Sequence, residues 1–190
     1  MLFSDRLSDR DVFEAKGADR LSLLEGLLGD FRNAFPDLTF ELQSNFSIIN
    51  AQAIALQDQR TVMIYGGLAF HPKLGAEPLT FIILHEVGHH LAAGCRSRRD
   101  PSLACECAAD YWAATIGTDI LLRKSGRRLQ LGIALRELSQ IMNTGQPPKR
   151  RYSIRSSRSG CWARGWPLRS RALLERVQAP STTGCCITYV

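Results

Sequence analysis

Pro78-Leu79-Thr80-Phe81-Ile82-Ile83-Leu84-His85-Glu86-Val87-Gly88-His89-His90-Leu91-Ala92-Ala93-Gly94 is the stretch on which the reading of this chain turns. Pro78 suits the first helical position and Gly94 a C-cap, and only Gly88 interrupts the residues between, so the pattern predicts one long helix. Within it lies His-Glu-x-x-His. Residues four apart share a helical face, so the imidazoles of His85 and His89 can converge on one metal ion. Glu86 sits about 100° around the helix from His85. Its carboxylate can flank the ion and take a proton from water without being a ligand. Random ordering of this composition produces the motif roughly once in 400 such chains, so two ordinary helix histidines explain it poorly.

A catalytic zinc centre needs a third protein ligand and an open fourth position. The metzincin spacing requires glycine at 92 and histidine at 95, where this chain has Ala92 and Cys95. The gluzincin solution, a glutamate on a following helix, is available. Asp100-Pro101 reads as an N-cap followed by proline at N1, opening a helix that runs to about Leu122. Glu106-Cys107-Ala108-Ala109-Asp110 then puts two carboxylates one turn apart on one face. Flanked by alanine and cysteine, they read as buried, and buried carboxylates need a metal or a partner. Glu106 can ligate zinc, and Asp110 can accept the N–H of a ligating imidazole and fix its tautomer. A thiolate from Cys95, Cys105 or Cys107 is the alternative third ligand.

Upstream, Leu21, Leu24, Leu28 and Phe31 recur at helical spacing within residues 20–34, which predicts an amphipathic helix. Pro36-Asp37 ends it. Leu38–Leu42, residues 48–55 and Thr61–Tyr65 read as three strands of a small, mostly antiparallel sheet, with Asp58-Gln59 as a turn and Gly66-Gly67 as an end. Downstream, Leu131, Leu135, Leu138 and Met142 mark a helix over 127–143, and a short helix is expected near 168–177. Gly88, lacking Cβ, lets a second helix approach the metal helix closely. His71, before Pro72, reads as a solvated loop residue, and His90 as a core or surface histidine.

The sum is an α+β chain of two parts: a compact domain over residues 1–145 and a basic, Arg-rich segment over 146–190. With 190 residues, 45% hydrophobic and 22% charged, wholesale disorder is excluded. No run approaches the length of a membrane span, and the N-terminus lacks an apolar signal region. The six cysteines (95, 105, 107, 161, 185, 186) therefore read as thiols of a cytoplasmic protein. Residues 121–190 carry 14 Lys/Arg against the two acids Glu137 and Glu175. That imbalance marks either a solvated tail or a contact with nucleic acid or another polyanion.

Asn50-Ala51-Gln52-Ala53, then Val62 to Leu68, then His85-Glu86-x-x-His89, then Glu106-x-x-Ala109-Asp110 resembles the core of the HtpX-like gluzincin metallopeptidases over residues 38–118. That family includes the CAAX-prenyl proteases and soluble minimal relatives. The resemblance implies a zincin-like fold and zinc on His85, His89 and Glu106. It makes Glu86 the general base and Asp110 the partner of a ligating histidine. It also implies that Asn50–Ala53 is the sheet edge along which an extended peptide or protein substrate adds as a further strand. The family's downstream His-Pro-x-x-x-Arg has its nearest counterpart in Trp166-Pro167-Leu168-Arg169-Ser170-Arg171, with Trp166 in place of histidine. The ImmA/IrrE-like regulatory proteases are similar in the same two motifs, but typically have asparagine at the place of Asp110. A zinc-binding regulatory protein without efficient catalysis, and a polyanion-binding module, are the alternatives to an endopeptidase.

Overall fold

The computed structural model of the protein describes residues 17–142. The boundary expected at 145/146 and the whole basic segment over 146–190, with the helix near 168–177 and Trp166, lie outside them. Helix α1 (Ala18–Ala34) leads to strands β1 (Thr39–Gln43), β2 (Ala51–Leu56) and β3 (Gln59–Tyr65) and a short helix α2 (Gly66–Ala69). Helix α3 (Ala76–Leu91) follows. Helix α4 (Glu106–Trp112) then continues through a π-helical turn (Ala113–Gly117) into α5 (Thr118–Ser125), and α6 (Leu131–Met142) ends the described chain. The class is α+β, with one three-stranded mixed sheet.

In α1 the face turned to the core is Leu24, Leu27, Leu28 and Phe31. Leu21, expected on that face, is 40% exposed instead. Phe31 packs its ring against Phe35 and Phe40, which fastens α1 to the start of the sheet. Arg20 makes a second tie. Its guanidinium donates to the carbonyls of Ala69 and Leu74, both at 2.7 Å, so α1 is joined to the loop that feeds α3.

The sheet departs from the expected, mostly antiparallel one. Its order is β1-β3-β2, with β2 antiparallel to β3 but β1 parallel to it. The reason is the path of residues 44–50. That loop crosses the end of β3 at Gly66-Gly67, where the Gly67 N–H donates to the Phe46 carbonyl at 2.9 Å. A Cβ on Gly67 would stand 2.2 Å from the Ser47 carbonyl oxygen, so only glycine permits the crossing. The chain thereby reaches the far side of β3 and returns as an edge strand.

Helix α3 runs through the core, and every residue from Pro78 to His90 is buried. It begins at Ala76, so Pro78 is its third residue rather than its first. The Gly75 N–H before it is satisfied by the Glu137 carboxylate of α6, at 2.9 Å. The glutamate helix starts at Glu106, not at Pro101. Asp100 caps only a local turn, accepting the Ser102 N–H at 3.0 Å. The backbone N–H groups of Ala104 and Cys105 go to the carbonyls of His89 and Cys95, which draws this stretch into a small ribbon instead of a helix. Among the described residues no helix is long and apolar enough to cross a membrane.

Candidate metal centre

His85 and His89 lie one turn apart on α3 and their rings meet edge to face, with centroids 4.7 Å apart. Each ring is aimed by its Nδ1. His85 Nδ1 donates to Asp110 Oδ1 at 2.8 Å, and His89 Nδ1 donates to the Ala104 carbonyl at 2.8 Å. A carboxylate and a carbonyl can only accept, so both Nδ1 atoms carry the proton and both Nε2 atoms turn inward. Those Nε2 atoms are 3.1 Å apart. The Glu106 carboxylate completes a triangle, with Oε2 3.3 Å from His85 Nε2 and Oε1 3.8 Å from His89 Nε2.

The electrostatics follow from this packing. Burial opposes charge on His85, but the hydrogen bond and charge of Asp110, with Glu106 and Glu86, outweigh it and hold its pKa well above the usual imidazole value. His89 is pushed down by burial and by neighbouring His85. Two nitrogen lone pairs facing each other at 3.1 Å require a positive centre, and a proton or a metal cation answers that need. His85, Glu86 and His89 offer ligand atoms within 4.8 Å of one another, close enough to hold a metal ion.

Glu86 leans toward the sheet. Its Oε2 accepts the Ala53 N–H at 2.8 Å. The bond from the Tyr65 N–H to the Asn50 carbonyl fixes which residues of β2 face β3. By alternation, Ala51 and Ala53 direct their N–H and C=O groups away from β3, toward the edge that no other strand of the described residues covers. The four residues Asn50, Ala51, Gln52 and Ala53 thus begin an edge strand beside the histidines. Asn50, Ala51 and Ala53 are buried, while Gln52 is exposed and receives the Tyr65 hydroxyl at 3.4 Å.

Gly88 faces α4. A Cβ there would lie 2.8 Å from the Ala109 carbonyl oxygen and 3.0 Å from its Cα, so the close approach of the two helices depends on glycine. That approach carries Asp110 to His85.

Several expectations need correction. Asp110 is buried as expected, but the Glu106 side chain is 52% exposed, at the mouth of the site. His71 is buried rather than solvated, and its Nδ1 accepts the Lys73 N–H at 3.2 Å. His90 is buried, as a core histidine would be, and bonds the Thr61 carbonyl through Nε2 at 3.1 Å. Two contributors escaped sequence reasoning, the Ala104 carbonyl and the Ala53 N–H. Both are backbone groups on alanines, and no residue identity marks them.

Comparison with protein-family models, with curated proteins and with solved structures finds no match to this chain.

Proposed function

We propose that this protein is a zinc-dependent endopeptidase of the gluzincin type, built on a zincin-like α+β domain. The observation that carries the reading is the inward convergence of His85 Nε2, His89 Nε2 and the Glu106 carboxylate at separations of 3.1, 3.3 and 3.8 Å. Ligand atoms about 2.0–2.2 Å from a tetrahedral zinc stand about 3.3–3.5 Å apart. Imidazole and carboxylate are also the donors that zinc takes in catalytic sites. His85, His89 and Glu106 would hold the ion, which when bound supplies a Lewis acid for the scissile carbonyl and lowers the pKa of water.

The remaining steps belong to the chain's own side chains. Glu86, steadied by the Ala53 N–H, removes a proton from the attacking water and delivers it to the leaving amine. Asp110 and the Ala104 carbonyl keep both histidines in the Nδ1–H tautomer. The outward C=O groups of Ala51 and Ala53 receive an extended peptide as an added strand. The protein or peptide substrate thus lies along β2, whose outward edge meets Glu86 at Ala53.

The test pairs zinc content with peptide cleavage in wild type and Glu86→Gln. The expected result is about one zinc per chain in both, with cleavage reduced by about 10²- to 10⁴-fold in the variant. Zinc-loaded wild type that cleaves no member of a peptide library would make this a zinc-binding protein without catalysis. Full activity in Glu86→Gln would overturn the assignment of the base.

A further inference from the structure

The ribbon that aims His89 carries two cysteines at facing positions. Arg96 and Ala104 form an antiparallel bridge. The Cys105 N–H donates to the Cys95 carbonyl at 2.8 Å on one side of it, and the Ser97 N–H to the Leu103 carbonyl at 2.9 Å on the other. This register sets Cys95 directly opposite Cys105. At such a hydrogen-bonded position Cα atoms are about 5.5 Å apart, and both side chains leave the same face. A disulfide spans Cα separations of about 4.4–6.8 Å and is commonest near 5.5–6 Å. Both residues are thiols in this structure. Cys107 sits in the first turn of α4, off the ribbon.

We propose that Cys95 and Cys105 are a reversible disulfide site that staples the end of α3 to the start of α4. Cys95 is half-buried and Cys105 is 2% exposed, so an oxidant meets Cys95 first. With a small disulfide such as oxidised glutathione, the Cys95 thiolate attacks one sulfur and the oxidant's S–S bond breaks, releasing one glutathione thiol. The Cys105 thiolate then attacks the Cys95 sulfur of the mixed disulfide and expels the second. Two protein thiols are oxidised, one glutathione disulfide is reduced to two thiols, and the two protons pass to the glutathiones. The new bond flanks Ala104, whose carbonyl holds His89, and immediately precedes Glu106. The oxidised form therefore locks the wall that carries one histidine's orienting group and the glutamate. The assignment rests on the ribbon's register and stands whether or not the chain is a peptidase.

The full-length protein is incubated with oxidised glutathione, digested without reduction and mapped by mass spectrometry, and its thermal midpoint is read before and after. The expected product is a peptide pair joined through Cys95 and Cys105, two hydrogens lighter than the separate peptides. The midpoint should rise by about 5–10 °C, because the bond closes a short loop in the unfolded chain. Dithiothreitol should reverse both. Cys95→Ala should show neither change, and Cys105→Ser gives the same control should Cys95→Ala fold poorly. The proposal is overturned by glutathione retained on Cys95 with Cys105 reduced, or by linkage of either thiol to Cys107 or another cysteine. A 95–105 link that leaves the midpoint unmoved overturns it equally.

Discussion

Asp110 Oδ1, buried on α4, accepts the Nδ1–H of His85 across the helix interface at 2.8 Å, and this one bond decides which nitrogen of His85 faces the site. Asparagine at 110 keeps the shape but loses the charge that supports the imidazole. Asp110→Asn is expected to lower metal affinity by about 10- to 100-fold with little change in fold. Competition with a chromophoric chelator measures it, and unchanged affinity would show that Asp110 does not tune His85.

Glu106 distinguishes a carboxylate site from a thiolate one. In Glu106→Gln the retained zinc should fall well below the level of about one per chain expected of wild type. Cys107→Ser and Cys95→Ser should leave it unchanged. Zinc kept by Glu106→Gln but lost from a serine variant would move the third ligand to sulfur.

Gly88 carries a packing prediction. In an exposed helix interior, glycine to alanine stabilises by about 1 kcal/mol. Here the added methyl meets the Ala109 backbone 2.8 Å away, which a backbone cannot evade by changing rotamer. Gly88→Ala should therefore destabilise by about 1–3 kcal/mol and weaken metal binding as well, since α4 carries Asp110 and Glu106. Denaturant unfolding and the chelator assay read the two effects. A variant as stable as wild type would mean that the helix interface yields freely.

His71 makes the fold sensitive to mild acid. Burial, then the nearby Lys73 and Arg20 charges, lower its pKa below the ordinary value of 6.5. Its Nδ1 is also committed as an acceptor. Well above pH 6.5 neither folded nor unfolded chain holds the proton, and His71 costs nothing. As pH falls from 6.5 toward the lowered folded pKa, the unfolded chain takes up a proton that the folded one refuses, and stability drops. His71→Gln should lose less stability than wild type between pH 7 and pH 5, measured as denaturant midpoints. Parallel losses would exclude His71 as the cause.

Much of the architecture was legible in the chain. The helical spacing of Leu24, Leu28 and Phe31 and the alternation in Thr61–Tyr65 are local signals, and both elements are present. His85 and His89 share a helical face because of their spacing alone. Asp110 could be matched with an imidazole because a carboxylate set among alanine and cysteine rather than charges needs a partner. Proline misled at two places. Pro101 lies in a turn ahead of its expected helix, and Pro78 two residues inside one, because hydrogen bonds to His89, Cys95 and Glu137 set those starts.

What spacing and residue type carry is therefore the identity of the donors: two imidazoles on one helical face, with carboxylates one turn apart to follow. Their convergence is a tertiary property. The parallel pairing of β1 with β3 arises from a loop crossing at Gly67, and the aim of His89 comes from the Ala104 carbonyl. The restraint on Glu86 comes from the Ala53 N–H. Every residue but proline carries those same two backbone groups, so only the folded path of the chain decides which of them reach the site.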